Sequence, residues 1–335
     1  MQKVLLIGAG TMGKVHAKAY SEMDKAQLVG IVDSNQDKAN ELAEEVGTAA
    51  FYTFDEAMEK LKNIDVIDIC LPTYFHKEYV KRAADAGKHV ICEKPLARDL
   101  QEAREMITYC REKNVNLFVG HVVRFFPEYQ KAKALLETGA IGKPAVVRTS
   151  RGGAFPTGWS DWYADFQKSG GLVLDLLIHD FDYLRWCFGE VERVYAKRIS
   201  PREDLRLDYA LVTLRFKNGV IAHVEGTWAH DGFAYKFEIS GTKGIVDCDS
   251  TKAVPITTMV RTSDEGTAGV PVPESPLKKN PYFLELEHFL SCIETGDTPL
   301  VTSEDAYKAM EIAFAALQSI ETGKPVTLNY SNVQC

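Results

Sequence analysis

No Cys-x-x-Cys pair occurs in this chain; its seven cysteines stand singly at 70, 92, 110, 187, 248, 292 and 335. An odd, dispersed set argues against a disulfide framework or a zinc site and for reduced thiols in a cytoplasm. Positive charge is also short, with 39 Lys and Arg against 47 Asp and Glu and a net charge of −8. That balance excludes the basic face of a nucleic-acid binder and any attraction to an anionic membrane surface. Long apolar runs are missing as well. Val4 to Ile7 is apolar for a few residues and then meets Gly8, which reads as neither a signal peptide nor a membrane span. The expected partner is a small molecule, held by a globular protein whose 335 residues exceed what one hydrophobic core usually organises.

What is present begins with a strand-like run at 4–7, the turn Gly8-Ala9-Gly10-Thr11-Met12-Gly13, and a helical stretch over 14–23. This is G-x-G-x-x-G between strand and helix, the context it needs. The glycines allow a tight turn and a close backbone approach to a pyrophosphate, the helix N-terminus offers N–H groups to that anion, and Thr11 and Met12 within the turn are expected cofactor contacts. A second strand over 27–32 ends in Asp33, twenty residues past Gly13. A carboxylate there accepts ribose hydroxyls and repels a 2′-phosphate, so with Ser34 and Asn35 following and no Arg close by, NAD is expected rather than NADP. The competing reading is that Asp33 only caps the helix opening near Gln36.

Strands over 49–53, 66–70, 89–92 and 117–120 then alternate with helices over 37–46, 55–61, 77–86 and 100–113. That rhythm predicts an α/β fold, a Rossmann-type doubly wound parallel sheet occupying 1–121. Ligands of such sheets bind beyond the carboxyl ends of the strands. Leu71-Pro72 and Glu93-Lys94-Pro95 stand at two of those ends.

The residues here resemble a known family, the glucose-fructose oxidoreductase / inositol dehydrogenase / rhizopine catabolism (Gfo/Idh/MocA) superfamily of NAD(P)-dependent oxidoreductases. The matching pieces are Gly8-x-Gly10-x-x-Gly13-x-x-His16, Leu71-Pro72 with His76, Glu93-Lys94-Pro95, Gly120-His121 with Arg124-Phe125, and Gly170-Gly171-x-x-x-Asp175-x-x-x-His179-x-x-Asp182. The resemblance implies that 122–335 is a substrate-binding and oligomerisation domain of α/β type. Its large open, mostly antiparallel sheet would pair copies into a homodimer or homotetramer, and the C-terminal helix would pack back on the first domain. Strand-like segments at 146–150, 194–198, 210–216, 220–228, 235–240 and 245–248 agree, with Asn218-Gly219 as a hairpin signal. Residues 251–281, rich in proline, read as a long irregular excursion, and two helices close the chain near 283–294 and 303–321.

Asp175 and His179 stand four residues apart on what reads as one buried helix opening at Gly170-Gly171. At that spacing they share a face, and a carboxylate beside an imidazole orients the ring and raises its pKa. A metal site is the weaker alternative, because no further His or Cys cluster lies near in sequence. By the resemblance, Lys94, Asp175 and His179 are the catalytic set, Lys94 and His179 sharing the acid-base work and Asp175 meeting substrate hydroxyls or orienting His179. Glu93, Leu71, Pro72, His76, Arg124 and Trp162 would border the cofactor. Arg124, Trp159 and Tyr235 would meet the substrate, although Arg124 could equally serve as an interdomain ion pair, and His16 reads as structural. The activity implied is an NAD-dependent dehydrogenase acting on a ring secondary alcohol of a cyclitol or sugar. An NAD-dependent enzyme that cleaves glycosides through transient oxidation, and an NAD- and sugar-binding regulator without catalysis, are the alternatives.

Overall fold

The computed structural model describes residues 1–199, 207–252, 255–260, 268–271 and 280–329. The first part alternates strictly: β1 (Gln2–Ile7), α1 (Thr11–Ser21), β2 (Ala26–Val32), α2 (Gln36–Val46), β3 (Ala50–Phe51), α3 (Phe54–Lys60), β4 (Val66–Ile69), α4 (His76–Asp85), β5 (His89–Glu93), α5 (Leu100–Glu112) and β6 (Leu117–Gly120). Its six strands are all parallel in the order β3-β2-β1-β4-β5-β6, which is the doubly wound arrangement. Val4, Leu5, Leu6, Val66, Ile67, Val90 and Ile91 are all buried, as a sheet covered by helices on both faces requires. The order reverses between β1 and β4, and the crevice of such a sheet opens there.

The remainder runs α6 (Pro127–Glu137), β7 (Pro144–Ala154), α7 (Phe166–Ser169), α8 (Gly171–Asp175), α9 (Ile178–Phe188), β8 (Val191–Ile199), β9 (Tyr209–Phe216), β10 (Ile221–Thr227), β11 (Ala229–Gly241), β12 (Gly244–Asp249), β13 (Ile256–Val260), β14 (Ala268–Pro271), α10 (Pro281–Thr295), α11 (Ser303–Thr322) and β15 (Val326–Thr327). Among the described residues the second sheet has nine strands, ordered β14-β13-β12-β11-β7-β10-β9-β8-β15. Every pair is antiparallel except β7 with β10, so the sheet is mixed but mostly antiparallel, as expected. In β9, Ala210, Val212, Leu214 and Phe216 are buried while Leu211 and Arg215 are exposed, and the hairpin turns at Gly219 with φ +91°. One face therefore packs on α8, α9 and α11 and the other is open.

Within the expected excursion over 251–281 the described residues form β13 and β14, which extend the sheet beyond β12. Backbone pairing there overrides the proline-rich composition, since Pro255 precedes one strand and Pro271 ends the other, where no ladder N–H is demanded. Pro273 and Pro276 lie outside the described residues, as does Cys335. α10 returns to the first sheet, where Phe283, Leu286 and Phe289 join Val4, Tyr20, Ile91 and Phe118 in one apolar cluster. Among the described residues no helix is long and apolar enough to cross a membrane.

Candidate active site

A cavity of about 610 Å³ opens at the carboxyl ends of β1, β2, β4 and β5, and α8, α9 and α10 supply its far wall. Gly8 and Gly10 line it; Gly8 sits at φ +106°, a conformation L side chains rarely adopt. Gly13 does not line it. A Cβ at Gly13 would run into the Gly8 carbonyl oxygen, so that glycine lets α1 pack directly beneath the turn. α1 then begins at Thr11 with no side chain capping its first N–H groups, and Thr11 and Met12 face the cavity. Nothing lies within 4 Å of where a Gly10 Cβ would stand. An open backbone, an uncapped helix start and no covering side chain together fit a pyrophosphate.

Asp33 and Ser34 follow β2 on the same rim. The Asp33 carboxylate accepts the Ala9 N–H at 2.8 Å through Oδ2 and the Asn35 N–H at 2.8 Å through Oδ1. It is thereby fixed against the glycine turn. The cap of α2 is Asn35, whose Oδ1 accepts the Lys38 N–H at 3.1 Å, so Asp33 does not perform that task.

Lys94 leaves the end of β5 and crosses to the other part of the molecule, where its Nζ donates to the Asp175 carbonyl at 2.7 Å and to Asp175 Oδ1 at 3.2 Å. The Lys94-Pro95 bond is cis. Behind Lys94, Glu93 Oε2 accepts the Lys94 N–H at 3.0 Å and Glu93 Oε1 lies 3.2 Å from His16 Nε2. Burial pushes the Glu93 carboxyl up, but His16 and Lys94 outweigh it and hold the group below its usual range. His16 Nδ1 in turn meets Asp68 at 2.8 Å and Cys70 Sγ at 3.3 Å, and Tyr20 donates to Asp68 at 2.8 Å. His16 is structural in placement: it is buried and ties the ends of β4 and β5 together behind the cavity. His16, Asp68 and Cys70 could surround a metal ion, but their mutual hydrogen bonds already account for the cluster.

The pairing of Asp175 with His179 requires correction. α8 ends at Asp175 and α9 starts at Ile178, with the chain bending through Leu176 and Leu177. The single helix that would align residues four apart does not exist, and Asp175 turns to Lys94. His179 lines the cavity, while its Nδ1 is buried without a hydrogen-bond partner among the described residues. Burial first, then the nearby Lys94 and Arg151 charges, hold its pKa well below the usual value, the reverse of the expected rise. A neutral imidazole at neutral pH is still a ready proton acceptor.

Leu71, Pro72, Glu93, Trp159 and Trp162 also face the cavity. Trp162 lies against Tyr163 with ring centroids 4.0 Å apart, and Ser160 and Asp161 between the tryptophans adopt left-handed backbone at φ 50° and 52°. Besides Gly13, three expected site residues are placed elsewhere. Arg124 is buried and donates to both oxygens of Asp182, at 2.8 and 2.6 Å, and to the Leu300 carbonyl at 2.7 Å, the ion-pair alternative. His76 is buried among the carbonyls of Leu71, Pro95 and Leu96 at 2.8, 3.0 and 3.3 Å. Tyr235 packs edge-on against Phe126 and tilted against Tyr129, and its hydroxyl donates to Glu128 at 3.4 Å. Tyr163 and Tyr282 line the cavity although no motif marked them. Tyr163 adjoins Trp162 in an aromatic run, a usable signal; Tyr282 arrives on α10, and nothing local announces it.

Residues 2–121 match the NAD-binding Rossmann fold of an oxidoreductase family, and residues 133–328 match the C-terminal alpha/beta domain of the same family. The chain belongs to the Gfo/Idh/MocA oxidoreductase family. Among the family's members, the myo-inositol 2-dehydrogenase of Thermotoga maritima is 34% identical, over 97% of this chain and 98% of its own length. The scyllo-inositol 2-dehydrogenase (NAD(+)) of Bacillus subtilis is 31% identical, over 97% and 95%. Levoglucosan dehydrogenase, solved in complex with NADH and levoglucosan, superimposes with a TM-score of 0.87 at 26% identity, covering 98% of this chain and all of its own. This Gfo/Idh/MocA chain is thus an oxidoreductase with an NAD-binding Rossmann domain, and the crevice of that domain faces polar and aromatic groups from the C-terminal domain.

Proposed function

We propose that this oxidoreductase transfers a hydride between NAD and a ring secondary alcohol of an inositol-like cyclitol or a sugar. The observation that carries the reading is convergence. Lys94 from the end of β5 and His179 from the start of α9 line the same cavity as the glycine turn and Asp33. Relatives named inositol 2-dehydrogenases, matching nearly the whole chain, support the substrate class.

In this reading the backbone from Gly8 to Met12 holds the pyrophosphate, and Asp33 and Ser34 hold the adjoining ribose. Leu71, Pro72, Glu93 and Trp162 flank the nicotinamide. A bound NAD would supply the hydride acceptor for the carbinol carbon. Lys94 donates a hydrogen bond to the reacting oxygen and stabilises its developing negative charge. His179 accepts the hydroxyl proton at Nε2, the ring nitrogen left to face the cavity once Nδ1 is buried. Asp175, bonded to Lys94, orients that ammonium and accepts from a neighbouring substrate hydroxyl, and Trp159 borders the ring at the mouth.

A panel of inositols and aldoses, followed by NADH absorbance, tests this. At least one polyol should reduce NAD, and Lys94→Ala should cost about a hundredfold or more in kcat while binding NAD normally. If every polyol fails with an intact, NAD-binding protein, the assignment is wrong.

A further inference from the structure

His121 is the least explained side chain near the cavity. It follows β6 directly, is 0% exposed, and neither ring nitrogen has a hydrogen-bond partner among the described residues. A neutral imidazole always carries one N–H and one acceptor nitrogen, and cores rarely leave both unmet. The adjoining ring is His179, with centroids 6.4 Å apart and planes at 83°. Its Nδ1 is buried and unpartnered too.

The charged groups around the two rings have other partners. Asp182 pairs with Arg124 at 2.6 Å, Asp305 with Arg185 at 2.6 Å, Lys94 with Asp175 at 3.2 Å, and Arg151 with Asp180 at 2.7 Å. The unmet nitrogens of His121 and His179 are left to each other. Two hydrogen bonds of about 2.9 Å, bent at one water oxygen, suit the ring separation, whereas a direct N–H···N bond would draw the rings closer.

We infer that an internal water bridges His121 to His179 Nδ1, and that His121 is thereby a positioning residue for the reaction. Buried waters occupy sites of this kind, where polar groups have no protein partner. The bridge accepts from His179 Nδ1–H, which fixes the ring with Nε2 toward the cavity as the acceptor. When the hydroxyl proton arrives at Nε2, the imidazolium keeps a hydrogen-bonded Nδ1–H instead of turning a bare one to the core. The proton stays on Nε2. The inference rests on His179 being the proton acceptor.

His121→Phe keeps a ring in place and removes both nitrogens; His121→Gln restores a donor and an acceptor. The Phe variant should lose about tenfold in kcat with KM for NAD unchanged, the loss of one hydrogen bond at the transition state. Its acid limb in the pH–rate profile should move to lower pH, because the His179 imidazolium is less supported. The Gln variant should recover most of both, and a high-resolution crystal structure of the wild type should show a water between the rings. Wild-type kcat and pH profile in the Phe variant, a Gln variant no better than Phe, or no density between the rings overturns the inference. His179→Ala separates the two levels. An inactive His179→Ala beside an unaffected His121→Phe removes the bridge alone, whereas a fully active His179→Ala removes both readings.

Discussion

Asp33 and Glu285 are both carboxylates near the cofactor crevice, and their surroundings give them opposite tasks. Asp33 is tied to backbone N–H groups at the rim, which holds its carboxylate toward a ribose. Asp33→Ala should narrow the preference of kcat/KM for NAD over NADP by roughly ten- to a hundredfold, the worth of a charged hydrogen bond; steady-state kinetics with both cofactors measures it. An unmodified protein that prefers NADP would refute the role. Glu285, on α10, is buried with neither carboxyl oxygen hydrogen-bonded among the described residues. Burial, then the neighbouring Glu93, push its pKa well above 4.5. Above pH 4.5 the folded state therefore holds a proton that the unfolded chain releases, and stability falls as pH rises. Glu285→Gln keeps the shape without the titration. Thermal unfolding should show the variant more stable than wild type at about pH 8, with the gain fading toward about pH 4.

Among the elements, the glycine turn and α1 form one rigid unit, because Gly13 lets the helix rest on Gly8. Gly13→Ala should push the helix off the turn, costing about 1–3 kcal/mol of stability. It should weaken NAD binding as well, which calorimetric titration would show; unchanged affinity would mean that the helix position does not matter to the cofactor. The bend between α8 and α9 works differently. It sends Asp175 to Lys94 and His179 to the cavity, which a straight helix would not do. The apolar run from Leu172 to Ile178 carries no proline or glycine at the bend, so hydrophobic periodicity gives no sign of it.

For the whole molecule, Arg124 anchors the segment after β6 to two helices of the C-terminal domain. From the segment after β6 it reaches Asp182 on α9 at 2.6 Å and Asp305 on α11 at 3.4 Å, and Asp305 also takes Arg185. Arg124→Met should cost about 3–5 kcal/mol in urea unfolding, since it strands a buried Asp182 charge. Adding Asp182→Leu should recover much of that loss; a further loss would show that the pair is not the source.

The parallel sheet, the glycine turn with its acidic partner, the hairpin at Asn218-Gly219 and the family motifs were legible in the sequence. Each is a local pattern in which the residue type itself carries the backbone demand, whether glycine for φ > 0 or β-branched runs for a buried strand. Tertiary structure alone decided which motif residues reach the cavity. Arg124, His76 and Tyr235 match the motifs or the chemistry yet are consumed by Asp182, by backbone carbonyls and by Glu128. Tyr282 enters the crevice wall from the far end of the chain, and Glu285 from the same helix is buried near Glu93. Likewise Asp175 abandons His179 for Lys94, because a charge held in a half-buried cleft takes the nearest opposite charge, and nearness across two domains is not written in spacing along one helix.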